Sequence, residues 1–389
     1  MSSPAEKYID VIHSWLERRS INSYNQSISK SVHIASYKGN KRSDNQDRVA
    51  FLEIKNQAAT GANFRAAILL DGMGGLSDGG AAATLALSSF ITYLTFGHEV
   101  GGLKHLVWQA AQFANQKVFQ VYRGHSGTTL CAVLFGGQGA VSLNIGDSRI
   151  YQQSPDNLLV QISKDDTLQA ILGSRRLTRE PWKYPDEIDN RLSQFIGMEA
   201  PVEPHLAILK YQGVADYSKT ILTSDGAHFI GDNILEHLMR QHYDSDVLCE
   251  RALTLSEWMG VADNASIIIL PSRPTYEEIA ALEVDHDHTH LILHTGTQSF
   301  ELMFRKDMND RTPYLYSAAS SVALKAAQDA LFTIATSSNS SNPVPQKKRV
   351  AAKKNVSLNE PRKAKKTKPK SAVKINHELM FNLNPNKKS

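Results

Sequence analysis

Apolar positions along this chain follow helical spacing in some stretches and strand-like runs in others. Tyr8, Ile9, Val11, Ile12, Trp15 and Leu16 recur at helical spacing within residues 5–20, which predicts an amphipathic N-terminal helix packing on the body. Residues 31–36 and 47–54 read as strands. Phe64 to Leu70 is an unbroken apolar run, the pattern of a strand buried on both faces. A helix is expected from Gly79 to about Leu94, where small residues permit close approach to a sheet. Another is expected from about Leu103 to Tyr122. Strands follow at about 128–136, 139–145, 148–153 and 158–162. Residues 164–200 are polar and read as irregular. Strands at about 204–211 and 218–223, helices at about 232–240 and 246–259, and a strand at 265–270 complete the pattern. The order of elements predicts an α+β layered domain over residues 1–271.

Beyond residue 271 the pattern changes. Leu291–His294 and Ser299–Phe304 flank Thr295-Gly296-Thr297-Gln298 as a hairpin, and a helix is expected from Tyr314 to about Ala335. Residues 272–336 therefore read as an accessory hairpin-helix segment. Residues 337–389 are rich in Ser, Asn, Pro and Lys. So few apolar residues cannot offset chain entropy, and disorder is expected.

Charge sharpens this division. The tail from Ser337 holds 14 Lys and Arg against Glu360 and Glu378, about +12, while the remainder holds 29 basic and 37 acidic residues, about −8. The net charge of +4 thus averages an acidic body with a basic tail. Cys131 and Cys249 lie in apolar stretches and give no disulfide framework. No signal peptide and no uncharged run of transmembrane length are read, so a cytoplasmic protein without membrane partners is expected, or a nuclear one in a eukaryote.

The candidate chemistry lies in short acidic clusters fused to the apolar runs. They are Arg42-Ser43-Asp44-Asn45-Gln46-Asp47, Asp71-Gly72-Met73-Gly74-Gly75, Ser224-Asp225-Gly226 and Asp263-Asn264. A carboxylate at a strand end is a hard oxygen ligand on a rigid element. Several of them converging suit Mg²⁺ or Mn²⁺. Two such ions can bind a phosphate and lower the pKa of a bridging water, which points to phosphoryl hydrolysis.

The order of these clusters resembles the metal-dependent serine/threonine protein phosphatase family, the protein phosphatase 2C type, in its bacterial branch. Five segments carry the resemblance. Gly39 to Asp47 fits G-x-x-R-x-x-N-x-D, and Asp71-Gly72-Met73-Gly74-Gly75 fits D-G-M-G-G. Gly127-Thr128-Thr129 fits G-T-T, and Gly146-Asp147-Ser148-Arg149 lies in the family's hairpin. Ser224-Asp225-Gly226 with Asp263-Asn264 fits the closing motifs. The resemblance implies a four-layer α/β/β/α sandwich of two antiparallel sheets flanked by helices. It implies two Mn²⁺ or Mg²⁺ ions. Asp71 bridges them, Asp47 and the Gly72 carbonyl hold one, and Asp225 and Asp263 hold the other. Asp147 would help hold a weaker third ion. Arg42 would clamp the phosphate. The implied activity is hydrolysis of phosphoserine and phosphothreonine in proteins by a metal-activated water, with phosphoproteins and a cognate kinase as partners.

Two departures qualify the match, and one further tract is weighed beside them. Phe229 stands where an aspartate of the third site often lies, with Asp165 and Asp166 as possible substitutes. Met73 and Leu76 stand at the two positions where family members carry a histidine, the general acid, which leaves metal-bound water or His228. Asp285-His286-Asp287-His288-Thr289-His290 reads as a solvated turn rather than a metal tract. Two rival readings follow. One is a pseudophosphatase scaffold that binds phosphoproteins. The other is a nucleic-acid-associated regulator, or one docking an acidic partner, that works through the tail; salt-dependent binding of the isolated tail to nucleic acid separates it from the rest.

Overall fold

The computed structural model describes residues 4–18, 22–29, 32–58, 60–73, 78–97, 101–136, 139–154, 156, 158–175, 191–209, 218–241, 243–271, 287–305 and 314–315. Gly74 to Ser77, the expected helix beyond Leu315 and the basic tail lie outside them. The chain divides into a unit of residues 1–339 and a second of residues 340–389; only the first contains described residues.

Two antiparallel sheets form the centre. The first has six strands in the order β1 (Ser23–Ser27), β2 (His33–Tyr37), β11 (Ala265–Pro271), β10 (Lys219–Thr223), β7 (Arg149–Gln153) and β8 (Leu159–Gln161). The second has eight, in the order β14 (Tyr314–Leu315), β13 (Gln298–Arg305), β12 (His288–Thr295), β3 (Arg48–Lys55), β4 (Phe64–Leu70), β5 (Leu130–Gly136), β6 (Gly139–Ile145) and β9 (His205–Leu209). Helices α1 (Pro4–Glu17), α2 (Gly79–Phe96) and α3 (Gly102–Tyr122) cover the outer face of the larger sheet. Helices α5 (Asp225–His228), α6 (Asp232–Met239) and α7 (Ser245–Trp258) cover that of the smaller. A short α4 (Leu168–Arg175) lies in the stretch read as irregular.

The apolar runs are explained by this layering. Along β4, Ala66, Ile68 and Leu70 face the helices, while Ala67 and Leu69 face the other sheet. β5 divides in the same way, Leu130, Ala132 and Leu134 against Cys131 and Val133. A strand between two apolar layers needs apolar residues at every position, so alternation disappears. β11 splits between the inter-sheet core, through Ile268 and Leu270, and the second helical layer, through Ile267 and Ile269. Among the described residues α2 is the one helix long and apolar enough to cross a membrane. Most of it is buried in this core.

The hairpin expected in the accessory segment continues the larger sheet. β12 pairs antiparallel with β3, Leu293 opposite Leu52. The N-terminal helix packs over this joint. Tyr8 stacks on Phe96 at 4.3 Å and meets the edge of Phe304 at 4.9 Å, and Trp15 lies 4.7 Å from Phe300. Tyr314 and Leu315 form a short strand against β13 rather than the start of a helix, because Met303 and Leu302 offer them a free sheet edge.

Candidate metal centre

Strand direction alone brings the acidic clusters together. Asp47 enters β3 and Asp71 leaves β4, its antiparallel neighbour, so both stand at one end of the larger sheet. Asp147 lies between β6 and β7, where the chain passes from one sheet to the other. Asp225 leaves β10 and Asp263 precedes β11, its antiparallel neighbour in the smaller sheet. All five carboxylates thus gather at one end of the sandwich. Burial raises the carboxyl of Asp71 well above the ordinary range, and the charges of Asp47, Asp225, Asp147 and Asp263 add to that rise.

The backbone beneath them is fixed. The Asp71 amide donates to Thr129 Oγ1 at 2.9 Å, and its carbonyl accepts from the Thr129 amide at 2.9 Å and Thr128 Oγ1 at 2.8 Å. Thr129 Oγ1 also meets Ser148 Oγ at 2.8 Å, which ties the Asp147 turn to Asp71. Asp47 is buried, with Oδ2 accepting from Ser224 Oγ at 3.0 Å and from Ser266 Oγ. Asn264 staples the first loop to the last: its Oδ1 accepts from the Gln46 amide at 2.8 Å, and its Nδ2 donates to the carbonyls of Lys38 and Asp44. A Cβ at Gly72 would lie 2.5 Å from the Gly79 carbonyl oxygen and 2.8 Å from that of Gln46, so only glycine fits there.

Do these residues fit divalent ions? Asp47 Oδ1 and Asp225 Oδ1 are buried and without a hydrogen-bond partner. A buried anionic oxygen left unpaired is costly unless a cation or a proton meets it. Burial pushes Asp47 up to about 7, with the Asp225 charge adding to it, and Asp225 is raised as well. The set is all oxygen, the chemistry of Mg²⁺ and Mn²⁺. Among the described residues no three His, Cys, Asp or Glu are already closed into a ligand group. One reason is Arg42. Its guanidinium forks onto Asp263, Nε lying 2.8 Å from Oδ1 and Nη2 bonded to Oδ2. The fork expected to clamp phosphate here neutralises a candidate ligand instead.

Crowding of this kind has a pH signature. A carboxyl whose folded pKa is raised contributes stability that is present below about pH 4 and lost as the pH climbs through the folded value, here about 7 for Asp47 and Asp147. Metal-free protein should therefore lose stability between pH 5.5 and 8, and a divalent ion that replaces the protons should restore it. At 100-fold excess over Kd, Mn²⁺ should raise Tm at pH 8 by about 5–10 °C, and by clearly less at pH 5.5. Equal shifts in a thermal melt at both pH values would contradict this assignment.

The remaining candidates separate. Asp147 sits at the site, raised to about 7 by burial and then by the charge of Asp225. Asp165 is taken by Arg149, whose Nη2 lies 2.8 Å from its Oδ2. Asp166 is tied to Gly146, Gln194 and His205, so neither faces the cluster as a free ligand. Burial, with Arg149 nearby, pushes His228 down to about 3, and its Nδ1 meets Thr223 Oγ1 at 3.1 Å. A neutral imidazole has no proton of suitable acidity to give. Phe229 is about half exposed just after α5. Of the His-Asp tract, His288 and His290 lie on β12, and His290 Nδ1 is 3.7 Å from Glu301 Oε1. Asp285 and His286 lie outside the described residues. The sequence reading gave no role to Ser266, Thr129 or Asn264 as supports. Thr129 and Asn264 lie within the G-T-T and closing motifs, and Ser266 lies two positions beyond Asn264.

No protein-family model matches the chain. It is 28% identical over 227 residues to the serine/threonine protein phosphatase PstP of Mycobacterium tuberculosis, a match covering 55% of this chain and 41% of that protein. The chain thus spans about two fifths of the length of the curated relatives it matches. Among solved structures it is similar to the serine/threonine phosphatase of S. agalactiae, with a TM-score of 0.53 and 22% identity over 61% of this chain and 97% of that one. It is also similar to Stp1 of Staphylococcus aureus, with a TM-score of 0.53 and 20% identity over 64% and 97%. This chain has the fold of the bacterial metal-dependent serine/threonine protein phosphatases and carries five of that family's motifs in the family's order.

Proposed function

We propose that the chain is a Mn²⁺- or Mg²⁺-dependent phosphatase acting on phosphoserine and phosphothreonine in proteins. The observation that carries this is the gathering of five aspartates at one end of both sheets, with Asp47 Oδ1 and Asp225 Oδ1 buried and unpartnered. Similarity to PstP supports it. Asp71, Asp225, Asp263, Asp47 and the Gly72 carbonyl would hold two ions, and Asp147 a weaker third. When bound, such ions supply Lewis-acid charge and an acidified water. The chain's own residues supply the rest. The two sheets fix the carboxylates on rigid strand ends, and Thr129 with Ser148 hold two of the motifs in register. Arg42, now forked onto Asp263, is the residue that would present a planar fork to phosphate if Asp263 were engaged by a divalent ion.

Arg42→Ala should then raise KM for an aryl phosphate by about 10–100-fold, the cost of a charge-assisted pair, with less change in kcat. An unchanged KM would show that Arg42 does not bind the phosphate.

The pseudophosphatase reading draws on Met73, which stands at a histidine position, and on the neutral His228. Loss of a general acid costs about 10²–10⁴-fold when the leaving group needs a proton. p-Nitrophenyl phosphate, whose leaving group needs none, should be turned over well and phosphothreonine peptides slowly. Met73→His should speed the peptide more than the aryl ester. Equal effects on both would mean that another group already serves as the acid. No turnover of either, with metal bound, would favour the scaffold.

A further inference from the structure

We propose that Asp166 is a positioning residue that fixes the Asp147 turn and couples it to residues 191–203. The inference rests on the phosphatase reading of the Asp147 turn. Asp166 is buried, and its bonds run in two directions. Toward the site, its Oδ2 accepts from the Gly146 amide at 2.9 Å, and its own amide donates to the Gly146 carbonyl at 2.9 Å. Gly146 immediately precedes Asp147. It has φ of +97°, and a Cβ there would lie 2.7 Å from Thr129 Cγ2; its carbonyl also accepts from Asn144 Nδ2 at 3.1 Å, so the clasp acts together with that bond and with the Thr129–Ser148 contact.

Away from the site, Asp166 Oδ2 also accepts from Gln194 Nε2 at 2.9 Å, and its carbonyl accepts from the Ser193 amide at 2.8 Å. Its Oδ1 meets His205 Nε2 on β9 at 2.8 Å. The segment it holds lies along the strand entry beside Asp71, where Thr128 and Ile196 exchange both backbone bonds, at 3.1 and 2.8 Å. One carboxylate therefore fastens a candidate ligand turn and a loop over the same end of the sandwich. Ordering the turn around an ion should order the loop, and loosening the loop should weaken the ion. Partners one step removed from a metal typically change its affinity by about 10–100-fold.

The test is a calorimetric Mn²⁺ titration of the full chain, with hydrogen exchange read at residues 191–203 with and without Mn²⁺. Wild type should bind two ions tightly and one weakly, and saturation should slow exchange in that segment. Asp166→Ala should weaken the weak ion about tenfold or more, leave the tight ions unchanged and abolish the Mn²⁺-dependent protection. Asp166→Asn keeps an acceptor for the Gly146 amide and should recover part of both. If Asp166→Ala does not fold, Asp166→Asn decides, with an expected loss of at least about threefold in the weak affinity. A folded variant with wild-type affinities and protection would overturn the inference, as would a wild type that binds two ions and no weaker third. A wild type that binds no Mn²⁺ would overturn the metal reading itself, and this inference with it.

Discussion

Asp71→Ala should reduce phosphatase turnover by more than about 100-fold while leaving the fold intact. Removing a residue that only orients a metal ligand costs about 10–100-fold, so removing the ligand central to the cluster must cost more. Asp71 is central to the cluster, since burial raises its carboxyl and the charges of four other aspartates raise it further. The fold should survive because its backbone amide and carbonyl, not its carboxylate, bond Thr128 and Thr129. Crowded buried carboxylates repel one another, so the metal-free variant should melt no lower than metal-free wild type, an exchange of stability for activity familiar at active sites. Asp225→Ala should behave alike. Near wild-type rates for Asp71→Ala would refute the ligand assignment. Lost activity with a large fall in Tm would make the effect structural.

Much of the site was legible in the sequence for a simple reason. Strand ends are marked by the end of an apolar run, and Asp71, Asp225 and Asp263 stand at such ends. Layering made β4, β5 and β11 plain, because both faces of each are apolar. β1 was missed. Ser23–Ser27 is a polar edge strand with exposed alternate positions, and its pairing with β2 is backbone chemistry that composition does not display. The joining of the hairpin to β3 was likewise hidden, since register between strands more than 230 residues apart depends on tertiary packing. Trp15 and Phe300 meet only once both are folded. Asp165 and Asp166 were noticed as carboxylates but not as clasps, because Arg149, His205 and Gly146 become their neighbours only in three dimensions. The fork of Arg42 on Asp263 bridges 221 positions and leaves no mark in either motif.

The proposed function requires oxygen-bound divalent ions at this carboxylate cluster for phosphate-ester hydrolysis. The full chain dialysed against excess EDTA should lose essentially all activity on p-nitrophenyl phosphate, because the candidate ligands among the described residues are all oxygen donors and burial holds His228 neutral. Mn²⁺ or Mg²⁺ should restore the wild type and not Asp71→Ala. Binding alone would not suffice; the restored rate must saturate with the same metal concentration that raises Tm at pH 8. The decisive measurement is therefore the aryl phosphatase rate across a Mn²⁺ titration after chelation. The rate should rise from background to a plateau, and full activity retained in excess EDTA would refute the metal assignment.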